Sequence, residues 1–410
     1  MMKDKEIDIK KLYKDYTLNT YTRCGPVFVK GKGSWLWDDK GDVYLDLFPG
    51  WGVSILGHAH PKIVQVIKEQ VKRLIHLPNN LYFKEQALLA QEIVKRNFPA
   101  KVFFANSGAE AVEGAIKFSR LFGKGKRFEI ITMNNSFHGR TFGALSATAQ
   151  EMYKASFKPL LPGFKVAKFN DFKSFKSKVN SKTVAVMLEL IQGEGGINVA
   201  GKEYINKLKN FCKKKKILLI IDEVQSGMGR TGKLFCYQNY SLTPDIVILS
   251  KGLGAGVPIS ALVVNKKIAD IIKPGMHAST FGGSPLVSEV SREVFKIIGR
   301  EKLLKNANNK GKYLLKRLCA LKKKFSFIKE ARGVGLMAGL ELKIDSYPIF
   351  LKCLEKKLLI NSTHKKVLRI MPALNVTRFE LDKGLKILEE VLAQLEVSSL
   401  KGRRTKLLTR

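Results

Sequence analysis

The stretch Ile217–Gly232, "ILLIIDEVQSGMGRTG", decides how the chain is read. Five aliphatic residues, Ile217–Ile221, end at two acids, Asp222 and Glu223, and a loop with Gly227, Gly229 and Gly232 follows. A short aliphatic run of this kind predicts a strand buried on both faces, as in a parallel sheet covered by helices. A carboxylate at the tip of such a strand needs a purpose. A magnesium-nucleotide site would supply one, but it requires a phosphate loop of the form G-x-x-x-x-G-K-[ST]. None is present: "GRTGKL" at 229–234 has the wrong spacing and lacks the final hydroxyl.

The bulk properties narrow the field. A chain of 410 residues is long enough for two or three domains, and a hydrophobic fraction of 45% belongs to a folded protein. No apolar run approaches the roughly 20 residues that span a bilayer. The start, "MMKDKEIDIKKLYKDY", is charged throughout and has no apolar signal segment, so a cytoplasmic protein without a membrane partner is expected. The five cysteines, Cys24, Cys212, Cys236, Cys319 and Cys353, form no C-x-x-C pair, which fits a reducing compartment and no metal centre. His58 and His60, in "GHAHP", have no acid or cysteine beside them and read as structural. The net charge of +38 raises the question of a nucleic-acid partner. Its lysines are scattered along the chain, however, and the runs Lys213–Lys216 and Lys322–Lys324 read as solvated helix faces. No aromatic-basic or zinc-finger motif accompanies them, which disfavours specific nucleic-acid binding. The tail "KGRRTKLLTR" is the expected mobile basic segment.

Working outward from Ile217, helices and strands alternate from about residue 60. "HPKIVQVIKEQVKRLIHL" carries Ile63, Ile67, Val71 and Leu74 at helical spacing, and "KEQALLAQEIVKRN" and "GAEAVEGAIKFSRLFG" are further helices. "KVFFANS", "EIITM", "AVMLEL", "ILLIID", "DIVILS" and "ALVVN" are short apolar strands. This predicts an α/β fold: a large domain over 56–305 with a mainly parallel sheet, and a smaller α+β domain built from 1–55 and 306–410. In the first of these ends, "VFVKGKGSWLWDDKGDVYLDL" reads as an antiparallel unit turning at Asp39-Lys40-Gly41.

Ligands of open parallel sheets sit beyond the carboxyl ends of the strands. Three strand ends then converge: Ser107-Gly108, Asp222 and Lys251. Ser107 with Glu110 forms a capping box, and the small residues Ser107, Gly108 and Ala109 leave a helix N-terminus open to an anion such as phosphate. Lys251, followed by Gly252, Gly254 and Gly256, is placed for close approach of a ligand and, when partly desolvated, for a Schiff base. Phosphate site, carboxylate and amine together match the needs of pyridoxal phosphate, whose ring nitrogen must stay protonated. At about 3 Å and an effective dielectric near 20, a carboxylate–pyridinium pair is worth roughly 5 kcal/mol before desolvation. That equals about 4 pKa units, enough to keep the proton at neutral pH.

A family resemblance runs from about Tyr21 to Arg369. It is carried by "YLDLFPGWGVSILGHAHP", "NSGAEAVEGAIK", "FHGRTFGALS", "IQGEGG", "LLIIDEVQSGMGRTG", "PDIVILSKGLGAGVPI", "STFGGSPL" and "RGVGLMAGLEL". Together these resemble the class III, ornithine-type aminotransferases of pyridoxal-phosphate fold type I. Leu190, Ala278, Ser284 and the "MPAL" segment depart from the family pattern without touching the expected cofactor contacts.

The resemblance implies a homodimer with its active sites at the subunit interface and a seven-stranded, mainly parallel sheet. It assigns Lys251 to the Schiff base and the proton transfer, Asp222 to the ring nitrogen and Gln225 to the ring hydroxyl. Phe137 would stack on the ring, with His138 beside it. Ser107, Gly108 and Ala109 would hold the phosphate, joined by Thr280 of the neighbouring subunit. Arg140 would bind a substrate carboxylate through its planar fork. Arg369 would bind the carboxylate next to the reacting carbon of 2-oxoglutarate, with Glu194 masking it while the amine donor is bound, and Tyr21 completes the expected substrate contacts. The likeness is greatest to members that take N-acetylornithine, in arginine biosynthesis. Ornithine, 4-aminobutyrate, succinylornithine and succinyldiaminopimelate are the rival donors, and a nucleic-acid-binding protein on an inactive scaffold is the rival of another class.

Overall fold

The computed structural model describes residues 7–408, with side chains through Glu396. Met1–Glu6 and the side chains of the basic tail lie outside the described residues; the backbone of 401–408 continues the helix Arg378–Leu408.

A seven-stranded sheet forms the centre. Its spatial order is Ala100–Ala105, Ser260–Asn265, Ile246–Leu249, Leu218–Asp222, Thr183–Leu188, Glu129–Met133 and Phe164–Ala167. The last five are mutually parallel, while Ser260–Asn265 runs antiparallel to both of its neighbours. The strand that opened the sequence reading is buried along its whole length, as are Thr183–Leu188 and Ile246–Leu249. Their aliphatic side chains enter two apolar clusters, one on each face of the sheet, which is why these strands read as continuous runs. Phe164–Ala167 escapes that reading because it is an edge strand, half exposed and interrupted by Lys165.

Both chain ends meet in smaller sheets. Phe28–Lys32, Trp35–Asp38 and Val43–Asp46 form the expected antiparallel unit, with Asp38 accepting the N–H groups of Lys40 and Asp42 at its turn. The unit is not purely antiparallel: Leu358–Leu359 adds a parallel strand beside Val43–Asp46 and so ties residue 45 to residue 358. A four-stranded antiparallel sheet follows in the order Ile328–Val334, Met337–Leu342, Val367–Ile370 and Asn361–Thr363. The helix expected over 60–77 is shorter, Pro61–Gln70. Val71 closes its end, donating its N–H to the Ile67 carbonyl, and Gln70 Nε2 holds the segment that follows by donating to the Leu74 carbonyl at 2.9 Å.

The lysine runs Lys213–Lys216 and Lys322–Lys324 are exposed at helix ends. Among the described residues no helix is long and apolar enough to cross a membrane, and no group of three or more His, Cys, Asp or Glu could hold a metal ion. His58 and His60 are held by acids instead, Nε2 of each lying 2.8 Å from Asp46 and 3.1 Å from Glu301.

Candidate active site

The carboxyl ends of Ala100–Ala105, Leu218–Asp222 and Ile246–Leu249 open on one cleft of about 480 Å³. It is lined by Ser107, Gly108 and Ala109, by Phe137 and Arg140, by Glu194, Asp222 and Gln225, and by Lys251. The three segments that the sequence brought to one crevice therefore share it.

At one end lies the start of the helix Gly108–Phe122. Ser107 Oγ accepts the Glu110 N–H at 3.3 Å, and Glu110 Oε2 returns to the Asn106 N–H at 3.0 Å, so the capping box forms. The first intrahelical bond runs from Ala111 N–H to the Ser107 carbonyl at 3.1 Å. The N–H groups of Gly108 and Ala109 precede it and have no partner within the helix, which leaves donors and the positive helix end for an anion. Gly139 lies against this cradle with φ +136, and a Cβ there would fall 2.8 Å from that of Ala109.

Asp222 is buried at the floor. One oxygen accepts the Val224 N–H at 3.0 Å and the other meets His138 Nδ1 at 2.7 Å. Burial disfavours a charged His138, but the bond and charge of Asp222, with Glu189 behind them, outweigh it and raise its pKa. His138 lines the same cleft and makes its bond to Asp222. Glu189 was missed. It accepts the N–H groups of Phe137 at 3.0 Å and Gly193 at 2.9 Å, so one buried acid positions both the loop of Phe137 and the "QGEGG" loop. Glu223 points elsewhere: its carboxylate accepts the N–H groups of Cys236 and Tyr237 at 2.8 and 2.7 Å, and burial pushes its pKa up to about 8. It is a structural cap.

Lys251 follows its strand in the left-handed conformation, φ +44, which costs a non-glycine residue energy and is characteristic of functional sites. Burial lowers its pKa; Glu194, Asp222 and Glu189 oppose the shift and Arg369 adds to it.

At the other end Arg369 is completely buried behind Glu194 and Gln225. Its Nη1 donates to Glu194 Oε1 at 2.7 Å and to Gln225 Oε1 at 3.0 Å. Gln225 thus spends its amide oxygen on Arg369. Gly193 makes room for that amide, since a Cβ would stand 1.9 Å from Gln225 Oε1. Burial works against a charged Glu194, but Arg369 holds its pKa below the usual carboxylate range. Phe48 and Asn361 complete the surroundings of Arg369 and were not foreseen. Arg140 is exposed, 3.9 Å over the Tyr153 ring, and makes no ion pair among the described residues. Phe137 is half-buried and packs edge-on to the same ring. Tyr21 and Thr280 lie outside the cleft, and both are exposed, Tyr21 beside the Arg23 guanidinium.

The model of one protein family, described as aminotransferase class-III, matches residues 19–392. The chain belongs to the class-III aminotransferase family. It is 48% identical to the acetylornithine aminotransferase of Caldanaerobacter subterraneus subsp. tengcongensis over 93% of this chain and 98% of the relative. With that of Methanocaldococcus jannaschii it shares 44%, over 97% of this chain and all of the relative. Among solved structures it resembles the ornithine aminotransferase of Toxoplasma gondii, with TM-score 0.90, 30% identity and 95% of each chain covered. The N-acetylornithine aminotransferase of Stenotrophomonas maltophilia superposes with TM-score 0.81 at 33% identity, over 92% of this chain and 98% of the other. Class-III aminotransferases depend on pyridoxal phosphate, and the cleft fits that group: an open helix N-terminus, a buried acid and a desolvated amine face one space.

Proposed function

We propose that this class-III aminotransferase moves the terminal amino group of N-acetylornithine to 2-oxoglutarate, giving the acetylated semialdehyde and glutamate in arginine biosynthesis. The observation that carries the reading is the Glu194–Arg369 pair at 2.7 Å, a partly exposed carboxylate over a buried guanidinium at the edge of the cleft that holds Lys251.

Pyridoxal phosphate, when bound, supplies a carbonyl for the amino group and a ring that takes up electrons from the reacting carbon. Ser107, Gly108 and Ala109 hold the phosphate, Asp222 holds the proton on the ring nitrogen, and Phe137 covers the ring. Gln225 offers its amide Nε2, 3.4 Å from the Trp51 carbonyl, to the ring hydroxyl. Lys251, with its lowered pKa, is an amine able to take the proton from the carbon that bears the transferred nitrogen and to return it on the cofactor side.

The two half-reactions place opposite demands on the same spot. A diamine donor presents an uncharged chain beside its reacting carbon, and there Glu194 neutralises Arg369. The acceptor presents a carboxylate, which replaces Glu194 on the guanidinium. Arg140, exposed and without an ion pair among the described residues, receives the remaining substrate carboxylate.

The proposed molecule is a homodimer in the cytoplasm, its large domain spanning 56–305 and its small domain 1–55 with 306–410. Thr280 contributes to the partner's phosphate site; its exposure next to the exposed Phe281 supports that role, as does an N-terminal helix, Ile9–Tyr16, with no buried residue. Tyr21, which is also exposed, joins the substrate contacts. Single-turnover half-reactions with a panel of amine donors test the substrate assignment.

A further inference from the structure

Asn361 and Arg369 stand directly opposite each other on the antiparallel strands Asn361–Thr363 and Val367–Ile370, so their side chains form a cross-strand pair. Asn361 Oδ1 accepts from both Nε and Nη2 of Arg369, at 3.0 and 2.9 Å. The other edge of the fork, Nη1, serves Glu194 and Gln225. One edge of a wholly buried guanidinium is therefore anchored by a neutral amide, and the Phe48 ring lies 4.6 Å beneath it. Among the described residues Glu194 is the one carboxylate within salt-bridge distance of Arg369.

That choice of residue has a consequence for charge. A carboxylate at position 361 could make the same two bonds with better electrostatics, and bidentate pairing with arginine is common. It would also neutralise Arg369 permanently. An amide fixes the plane of the fork while leaving the charge to be balanced by Glu194 alone.

We propose that Asn361 is a positioning residue that sets the dual specificity: it orients Arg369 without neutralising it, so that withdrawal of Glu194 exposes a full positive charge to the acceptor carboxylate. The inference rests on the reading that Arg369 binds the carboxylate beside the reacting carbon of 2-oxoglutarate and glutamate.

The test compares single-turnover half-reactions of the holoenzyme with glutamate and with N-acetylornithine. Asn361→Asp keeps the size and the accepting oxygen but adds the charge. It should lose at least about tenfold more kcat/KM for glutamate than for N-acetylornithine, the loss falling mainly in KM, because an unmatched buried charge is costly. Equal losses in both half-reactions, or no change in either, would overturn the proposal. Asn361→Ser removes the long amide but stays neutral. It should hold the ratio of the two half-reactions within about threefold of native even where both rates fall, and a shift of about tenfold would show that charge is not what position 361 controls. The serine arm decides the matter if the aspartate variant does not fold. Arg369→Ala separates the two levels of the argument. If it fails to impair glutamate selectively, the reading of Arg369 itself is wrong; if it does so while Asn361→Asp does not, only the role of Asn361 falls.

Discussion

His138 Nδ1 lies 2.7 Å from Asp222 Oδ2, and both side chains are buried beneath the cleft. Because the second oxygen of Asp222 is taken by the Val224 N–H, the carboxylate is fixed in plane. Burial opposes a charged imidazole, but Asp222 and Glu189 raise the His138 pKa above its ordinary value. The stabilisation from that charge is complete below the unfolded pKa of about 6.5 and disappears as pH rises through the higher folded value. Thermal melts of cofactor-free native protein and His138→Ala should therefore differ most at acid pH and converge towards alkaline pH, above a constant packing offset. A difference that grows with pH would contradict the assignment.

Asp222→Asn keeps the shape of the floor and removes its charge. The overall rate should fall by at least about 100-fold, as expected when a few kcal/mol of transition-state stabilisation is lost. Steady-state kinetics at saturating substrates measure this, and an unchanged kcat would show that Asp222 does not hold the ring nitrogen.

Lys251→Ala should abolish both turnover and the near-ultraviolet-to-blue absorbance of lysine-bound cofactor, while far-ultraviolet circular dichroism stays native. A variant that still transaminates at the native rate would remove Lys251 from the chemistry.

Glu194→Ala leaves Arg369 open to carboxylates and should impair the N-acetylornithine half-reaction more than that of glutamate. Arg369→Ala should do the reverse. Since an unpaired buried charge costs several kcal/mol, the donor preferences of the two variants should differ by well over about tenfold. Single-turnover rates with each donor separate them. Equal loss of both half-reactions in both variants would make the pair structural.

Much of this was legible because the residues concerned obey local rules. The buried strands announce themselves as aliphatic runs, and Ser107 with Glu110 spells a helix start whose box the structure forms. What escaped was non-local. His138 and Asp222 are 84 residues apart in sequence, and Glu189 reaches Phe137 across 52; nothing in spacing links them. The short edge strand Phe164–Ala167 lacks a continuous apolar face. Asn361 was hidden for a different reason. The hairpin that sets it opposite Arg369 turns through His364 and Lys365, both with positive φ, without the Asn-Gly or Asp-Gly signature that would have marked it. Without that turn, "NSTHKKVLRI" gives no register and the pair cannot be seen.

The most direct test of the proposed function is a single-turnover donor screen on the purified holoenzyme, read from the decay of the lysine-bound cofactor absorbance. N-acetylornithine, ornithine, 4-aminobutyrate, succinylornithine and succinyldiaminopimelate are compared, each followed by 2-oxoglutarate to restore the spectrum. N-acetylornithine should give the highest rate constant over KM, by at least about tenfold, with recovery on addition of 2-oxoglutarate. No spectral change with N-acetylornithine, or faster turnover of any other donor in the panel, would contradict the account.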